Sequence, residues 1–243
     1  MVNTMRKDKG SMKKKTDQKH QGAIENRLNI LRAGVLGAND GIISTAGLVI
    51  GVASATNNIM TILVAGIAGL LAGALSMAGG EYASVSTQKD VEQAEEAKER
   101  IRLADDFKGE SAELVQYYED KGLSHALATQ VAAELMKVNP LGVKLKTASN
   151  ITLGDYVSPW NAAISSMFSF TLGAVIPLIF IFLLPVHIKI VGTFAVVSVA
   201  LALTGYVSAA LGGAPRLKAL IRNVVVGMLT MLVTYGLGQF AHI

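Results

Sequence analysis

Five long apolar stretches, near residues 33–55, 60–80, 160–186, 190–213 and 223–241, constrain this chain more than any other feature. Each is long enough to cross a bilayer, which takes roughly 20 residues as a helix. A spanning segment must satisfy its own backbone hydrogen bonds in lipid, so segments of this length and composition fold as helices. Only 16% of the 243 residues are charged, where a soluble domain carries about a quarter. The charges concentrate at the N-terminus and between the second and third stretches. The fold class is therefore an all-α membrane protein. It has five transmembrane helices and a cytosolic three-helix insert between spans two and three. The boundaries read as a basic tail at 1–28, spans one and two at 29–84, the acidic helical insert at 85–157, and spans three to five at 158–243.

The basic residues give the expected orientation. Arg6, Lys7, Lys9, Lys13, Lys14, Lys15, Lys19, Arg27 and Arg32 precede or open the first span. The linker Thr56-Asn57-Asn58 has no positive charge, the insert has many, and the third-to-fourth connection has only Lys189. Arg216, Lys218 and Arg222 lie between the last two spans, and no Lys or Arg follows the fifth. Positive charge favours the cytoplasm, so the N-terminus and the insert read as cytoplasmic and the C-terminus as lying opposite. The net charge of +4 comes from the Lys-rich tail, read as disordered and touching anionic lipid. It calls for no nucleic-acid partner. No short apolar region with a cleavage site follows the tail, so a cleaved signal peptide is not expected. Cysteine is absent, which excludes disulfide, zinc-thiolate and iron–sulfur chemistry.

Small residues predict where the spans pack. Gly37/Gly41, Gly47/Gly51 and Gly69/Gly73 recur at four-residue spacing, which lets helix backbones approach in lipid. Ser158-Pro159 reads as an N-cap with proline in the first turn of span three. Pro177 interrupts the hydrogen-bond ladder of that span.

Asp40, in the run Gly37-Ala38-Asn39-Asp40-Gly41, is the residue least explained by structure alone. A carboxylate at membrane depth is costly and persists where it faces a polar pathway or a partner. Met77 and Glu81, four residues apart, share a face at the cytoplasmic end of span two. Antiparallel packing of spans one and two brings Asn39, Asp40, Met77 and Glu81 to the same end. Carboxylate oxygens bind divalent cations generally, and a thioether adds preference for softer metals over magnesium or calcium. This set suits ferrous iron or manganese. Taken singly, Met77 reads as a gap-filler at a helix interface, and Glu81 as a residue reaching headgroup water.

Beyond Glu81 the second helix is expected to leave the bilayer with Gln88, Glu92, Glu95, Glu96 and Glu99 as an acidic stripe in line with it. A second insert helix, about 110–121, carries Glu110 and Glu113 on one face and ends at Lys121-Gly122. A third, about 125–138, is capped by Ser124, ends at Asn139-Pro140, and packs through Leu127, Val131, Leu135 and Val138. A charged helix face is most often simply solvated; the functional alternative is a platform that collects divalent ions. The Glu-x-x-His pairs of di-iron enzymes are missing, and His20, His125, His187 and His242 are scattered. A membrane ferroxidase is therefore disfavoured, and the chain reads as no enzyme.

Together these pieces resemble the vacuolar iron transporter family over residues 25–241. The resemblance rests on Arg32, Gly37-Ala38-Asn39-Asp40-Gly41, Ser44-Thr45-Ala46-Gly47-Leu48, Ser76-Met77-Ala78-Gly79-Gly80-Glu81-Tyr82, Gly173-Ala174-Val175-Ile176-Pro177-Leu178 and Thr234-Tyr235-Gly236-Leu237-Gly238. It implies a homodimer of five-span subunits that moves ferrous iron out of the cytosol against counterflowing protons, with manganese as a second substrate. The family's intramembrane aspartate and methionine fall on Asp40 and Met77. Its cytosolic helices carry glutamates in pairs three apart. One pair is intact as Glu110 and Glu113; the other is Glu99 followed by Arg102, a cation in place of an acid. Residues 141–154 hold no Met, Asp or Glu, where fully equipped members of the family place further ligands. The insert's metal site is thus expected to be depleted.

The expected metal residues are Asp40, Met77, Glu81, Glu96, Glu99, Glu110 and Glu113. The ion is cargo, and no cofactor is expected. The expected location is a prokaryotic plasma membrane, the expected partners a second copy, protons and lipid. The competing functions are manganese export by the same fold and a non-transporting membrane scaffold whose insert binds a protein.

Overall fold

The computed structural model describes the backbone of residues 2–154 and 156–241, with side chains at residue 28 and from residue 30 onward within those ranges. The described residues form α1 (Val2–Ala55), α2 (Ile59–Asp105), α3 (Phe107–Asp120), α4 (His125–Val138), α5 (Pro140–Ser149), α6 (Pro159–Leu183), α7 (Lys189–Leu211) and α8 (Arg216–Ala241). Among the described residues, five stretches are long and apolar enough to cross a membrane: Ile30–Ala55, α2, α6, α7 and α8. α1 as described begins at Val2, so it takes in the basic segment read from sequence as a disordered tail; no proline interrupts that segment. Arg216, Lys218 and Arg222, read as a connection, are the opening turns of α8.

The chain divides into two units, one of residues 28–83 and 159–243, the other of residues 84–158 with the N-terminal 27. In the first, α1 is the shared wall. Ile42, Ala46 and Ile50 of α1 pack with Val197 and Leu201 of α7 and Met231 of α8. Val49 and Ala53 pack with Ile62 of α2 and Leu178 and Ile181 of α6.

The paired glycines are where these helices touch. A Cβ on Gly37 or Gly41 would collide with the backbone carbonyls of Ser166 and Phe170, and one on Gly173 with that of Ala38. The α1–α6 contact is therefore backbone on backbone, which only glycine allows. Gly47 and Gly51 face Thr230 and Thr234 of α8, while Gly238 abuts Gly51 and Ser54. The Ser54 hydroxyl donates to the carbonyls of Gly51 (2.8 Å) and Tyr235 (3.1 Å). At the opposite end from the basic residues, the linker is fixed by Asn58, whose side chain accepts from the Met60 and Thr61 amides at 2.9 and 3.2 Å. The buried Lys189 ammonium reaches Asn57 Oδ1 at 3.3 Å.

In the second unit the helical part of α2 beyond Ala83 is joined by α3, α4 and α5. The insert thus has three helices besides the end of α2, where the sequence reading has three including it. Asn139-Pro140 does end α4, but Pro140 also occupies the first turn of α5, and the Asn139 side chain accepts from the Gly142 amide at 3.1 Å. Proline suits a helix start, where its missing N–H costs nothing. The core here is Leu114, Ala132 and Met136 with Leu103, Val115, Tyr117, Tyr118, Leu135 and Val143 around them. The buried face of α4 is Ala128, Ala132 and Met136; Leu127 and Val138, expected to pack, are exposed. Alanines let α4 lie close; of the other two residues expected to pack, Val131 is half-buried and Leu135 packs against the core.

Candidate functional site

Asp40 on α1 and Met77 on α2 line one cleft of about 190 Å³, together with Ser44, Thr45, Leu48, Gly69, Gly73, Ser76 and Phe170. Two features build it. Gly69 and Gly73 keep the wall of α2 low, since a Cβ there would strike Leu48 and the Phe170 ring. Phe170, packed with Ala74 and Ala174 and flanked by Met77, forms the apolar floor. The Ser44 hydroxyl donates to the Asp40 carbonyl at 2.6 Å, one helical turn back. Thr45 Oγ1 is buried with no hydrogen-bond partner. The cleft therefore offers a carboxylate, a thioether and hydroxyls in an otherwise apolar setting. This mix can bind a partly dehydrated divalent cation. Ser44, Thr45 and Ser76 are not among the site residues expected from sequence; of the three, only Ser44, four residues after Asp40, carries a spacing signal, since that spacing places both on one helical face.

Asn39 and Glu81 stand apart from this cleft. Asn39 turns the other way and lines a larger cavity, about 420 Å³, with Arg32, Gly205, Ser208, Arg222 and Asn223 among its walls. Glu81 lies one turn beyond Met77 and is nearly buried, with its Oε2 3.6 Å from Nη2 of the more exposed Arg32. That separation is an ion pair and not a hydrogen bond. Near them the Tyr82 and Trp160 rings pack at 4.8 Å between centroids, an amphipathic pair of the kind found at the membrane–water boundary.

The insert brings Glu99, Glu110 and Glu113 together, and a lysine comes with them. Lys144 of α5 is buried, with its Nζ 2.7 Å from Glu113 Oε2, in ion-pair contact with Glu110 Oε2, and 4.0 Å from Glu99 Oε1. Arg102 Nη1 lies 3.8 Å from the other Glu99 oxygen. Burial, then the neighbouring Glu110 charge, push the Glu99 carboxyl up despite Lys144 and Arg102. The Lys144 bond holds Glu113 below the usual carboxylate range. Burial works against the Lys144 ammonium, but its bonds to Glu110 and Glu113 outweigh that and raise its pKa. Glu96 is not part of this group. It accepts from Arg100 at 2.7 Å and from the Tyr156 hydroxyl, which together lower its pKa. Burial and that bond push Tyr156 up to about 12. Among the described residues, no three His, Asp or Glu side chains are arranged to hold one metal ion.

A family model described as the VIT family matches residues 31–239. The chain belongs to the VIT family. It is 39% identical over 209 residues to a vacuolar iron transporter of Acanthamoeba castellanii, covering 86% of this chain and 77% of that one. It is 32% identical over 231 residues to vacuolar iron transporter homolog 3 of Arabidopsis thaliana, covering 93% and 92%. Vacuolar iron transporter homolog 5 of rice is 35% identical over 212 residues, covering 87% and 80%. These VIT-family relatives are named for transport, not catalysis, and the chain is no enzyme. Five long apolar helices and this kinship make it a multi-pass membrane protein.

Proposed function

We propose that this chain carries divalent metal ions, ferrous iron foremost and manganese second, out of the cytosol in exchange for protons. The observation that carries the reading is that Asp40 and Met77, from different helices, line one cleft otherwise walled mainly by small and apolar side chains. A carboxylate there can hold a proton or share a metal ion, but not both fully at once, and this competition couples the two fluxes. The Met77 sulfur supplies the preference for a soft divalent ion over magnesium and calcium. Glu81, one turn nearer the end of the span, supplies a second carboxylate on the path, with Arg32 as its counter-ion. The names of the relatives support an iron cargo.

The same reading has two copies assembled as a homodimer in a prokaryotic plasma membrane, with the N-terminus and insert in the cytoplasm. Support for the orientation is the distribution of charge: Arg32, Arg216, Lys218 and Arg222 belong to one side, while only Lys189 belongs to the other.

The test is metal flux into proteoliposomes, comparing iron, manganese and calcium with and without a pH gradient. Iron and manganese flux that rises with an opposing proton gradient is expected. Vesicles with correctly inserted protein and no metal flux would leave the scaffold reading in its place.

A further inference from the structure

The acidic group of the insert already contains a cation. Glu99 comes from α2, Glu110 and Glu113 from α3, and Lys144 from α5, so three separate helices meet at one ammonium. Carboxylates this close repel unless positive charge lies between them. Glu99 Oε1 and Glu110 Oε2 are buried and accept no hydrogen bond of good geometry; the neighbouring positive charge is what compensates them. An unpaired buried ammonium is equally costly, so each side needs the other. Lys144 is delivered by the segment 141–154, which contains no acid or methionine to hold a metal.

We propose that Lys144 is a tethered cation standing where a divalent ion would otherwise be shared by Glu99, Glu110 and Glu113, so that the insert assembles without metal. Replacing it with an apolar side chain that brings no metal-binding atom then opens a divalent-cation site that the native chain lacks. The proposal does not depend on whether the membrane cleft transports iron. It makes the three glutamates structural partners of a lysine and not collectors of cytosolic metal. Arg102 beside Glu99 adds a second fixed charge and acts in the same direction.

The experiment uses the full chain in detergent, in an Asp40→Asn background so that the membrane cleft contributes less to the signal. Mn²⁺ binding is read by electron paramagnetic resonance, and thermal stability by circular dichroism with chelator or with Mn²⁺. The Lys144→Leu chain, whose new side chain carries no metal-binding atom, is expected to be less stable in chelator and to be restored by Mn²⁺. It should bind one more Mn²⁺ than its parent, since a positive charge within bonding distance of the site is gone. Adding Glu110→Gln to Lys144→Leu should abolish that binding. Two results would overturn the proposal: a Lys144→Leu chain that gains no Mn²⁺, whether folded or still unfolded in its presence, or a parent chain whose own Mn²⁺ binding is lost with Glu110→Gln.

Discussion

Replacing Gly41 by alanine tests the account of the membrane packing with a single methyl group. The added Cβ would overlap the Phe170 carbonyl oxygen and lie 2.9 Å from its carbon and 3.0 Å from its Cα. All three are backbone atoms of α6, so no side-chain rotation relieves them, and α1 and α6 must move apart. Overpacking of this kind costs roughly 1–3 kcal/mol. Alanine is also the better helix former, by about 1 kcal/mol, and this gain must be cancelled to see the clash. Gly236→Ala does so: it lies within a membrane helix and its Cβ would meet nothing within 4 Å. The difference between the two variants is the packing term. At about 2–4 °C per kcal/mol for a chain of this size, Gly41→Ala should melt several degrees below Gly236→Ala in detergent, followed by circular dichroism. Equal melting temperatures, or a more stable Gly41→Ala, would refute the backbone-on-backbone contact.

Two further outcomes are expected. The Glu113 carboxyl is held below its ordinary range by Lys144, so its contribution to stability is present above the ordinary glutamate pKa and lost as the pH falls through the lower folded value. The stability difference between the native chain and Glu113→Gln should therefore narrow on acidification, and a gap independent of pH would contradict the pairing. Met77→Leu keeps the volume of the side chain but removes the sulfur. The ratio of iron to calcium flux in proteoliposomes should fall by roughly an order of magnitude, the scale on which changes around metal sites act; an unchanged ratio would assign Met77 to packing alone.

How far the residues themselves disclose this molecule depends on the interaction involved. Hydropathy over 20-residue windows is a strong signal, and α6, α7 and the 56–58 linker fall where it places them. Glycine spacing marks Gly37 and Gly41, where the approach of backbones leaves no room for a Cβ, and Gly47 and Gly51, which sit close against Thr230 and Thr234. The insert was harder. α5 is invisible if Pro140 is read only as a stop, because a proline that ends one helix can equally begin the next. The packed face of α4 is only partly legible: Leu135 does pack against the core, but Leu127 and Val138 are exposed, because large apolar residues draw attention whereas Ala128 and Ala132 permit the close contact. The Asp40–Met77 pairing was legible because an intramembrane carboxylate has few harmless explanations. The lysine among the glutamates was not, since a search for metal ligands passes over cations. Likewise Arg32 reads from sequence as an orientation signal, and its pairing with Glu81 is a matter of three-dimensional placement.

Asp40 is the residue proposed to carry the metal, and Asp40→Asn probes that role with the least other change, because the amide keeps the size of the side chain and removes its charge and its titration. Iron uptake into proteoliposomes should fall to the level of protein-free vesicles while the chain remains folded and inserted. Iron flux at the native rate through Asp40→Asn would contradict the account.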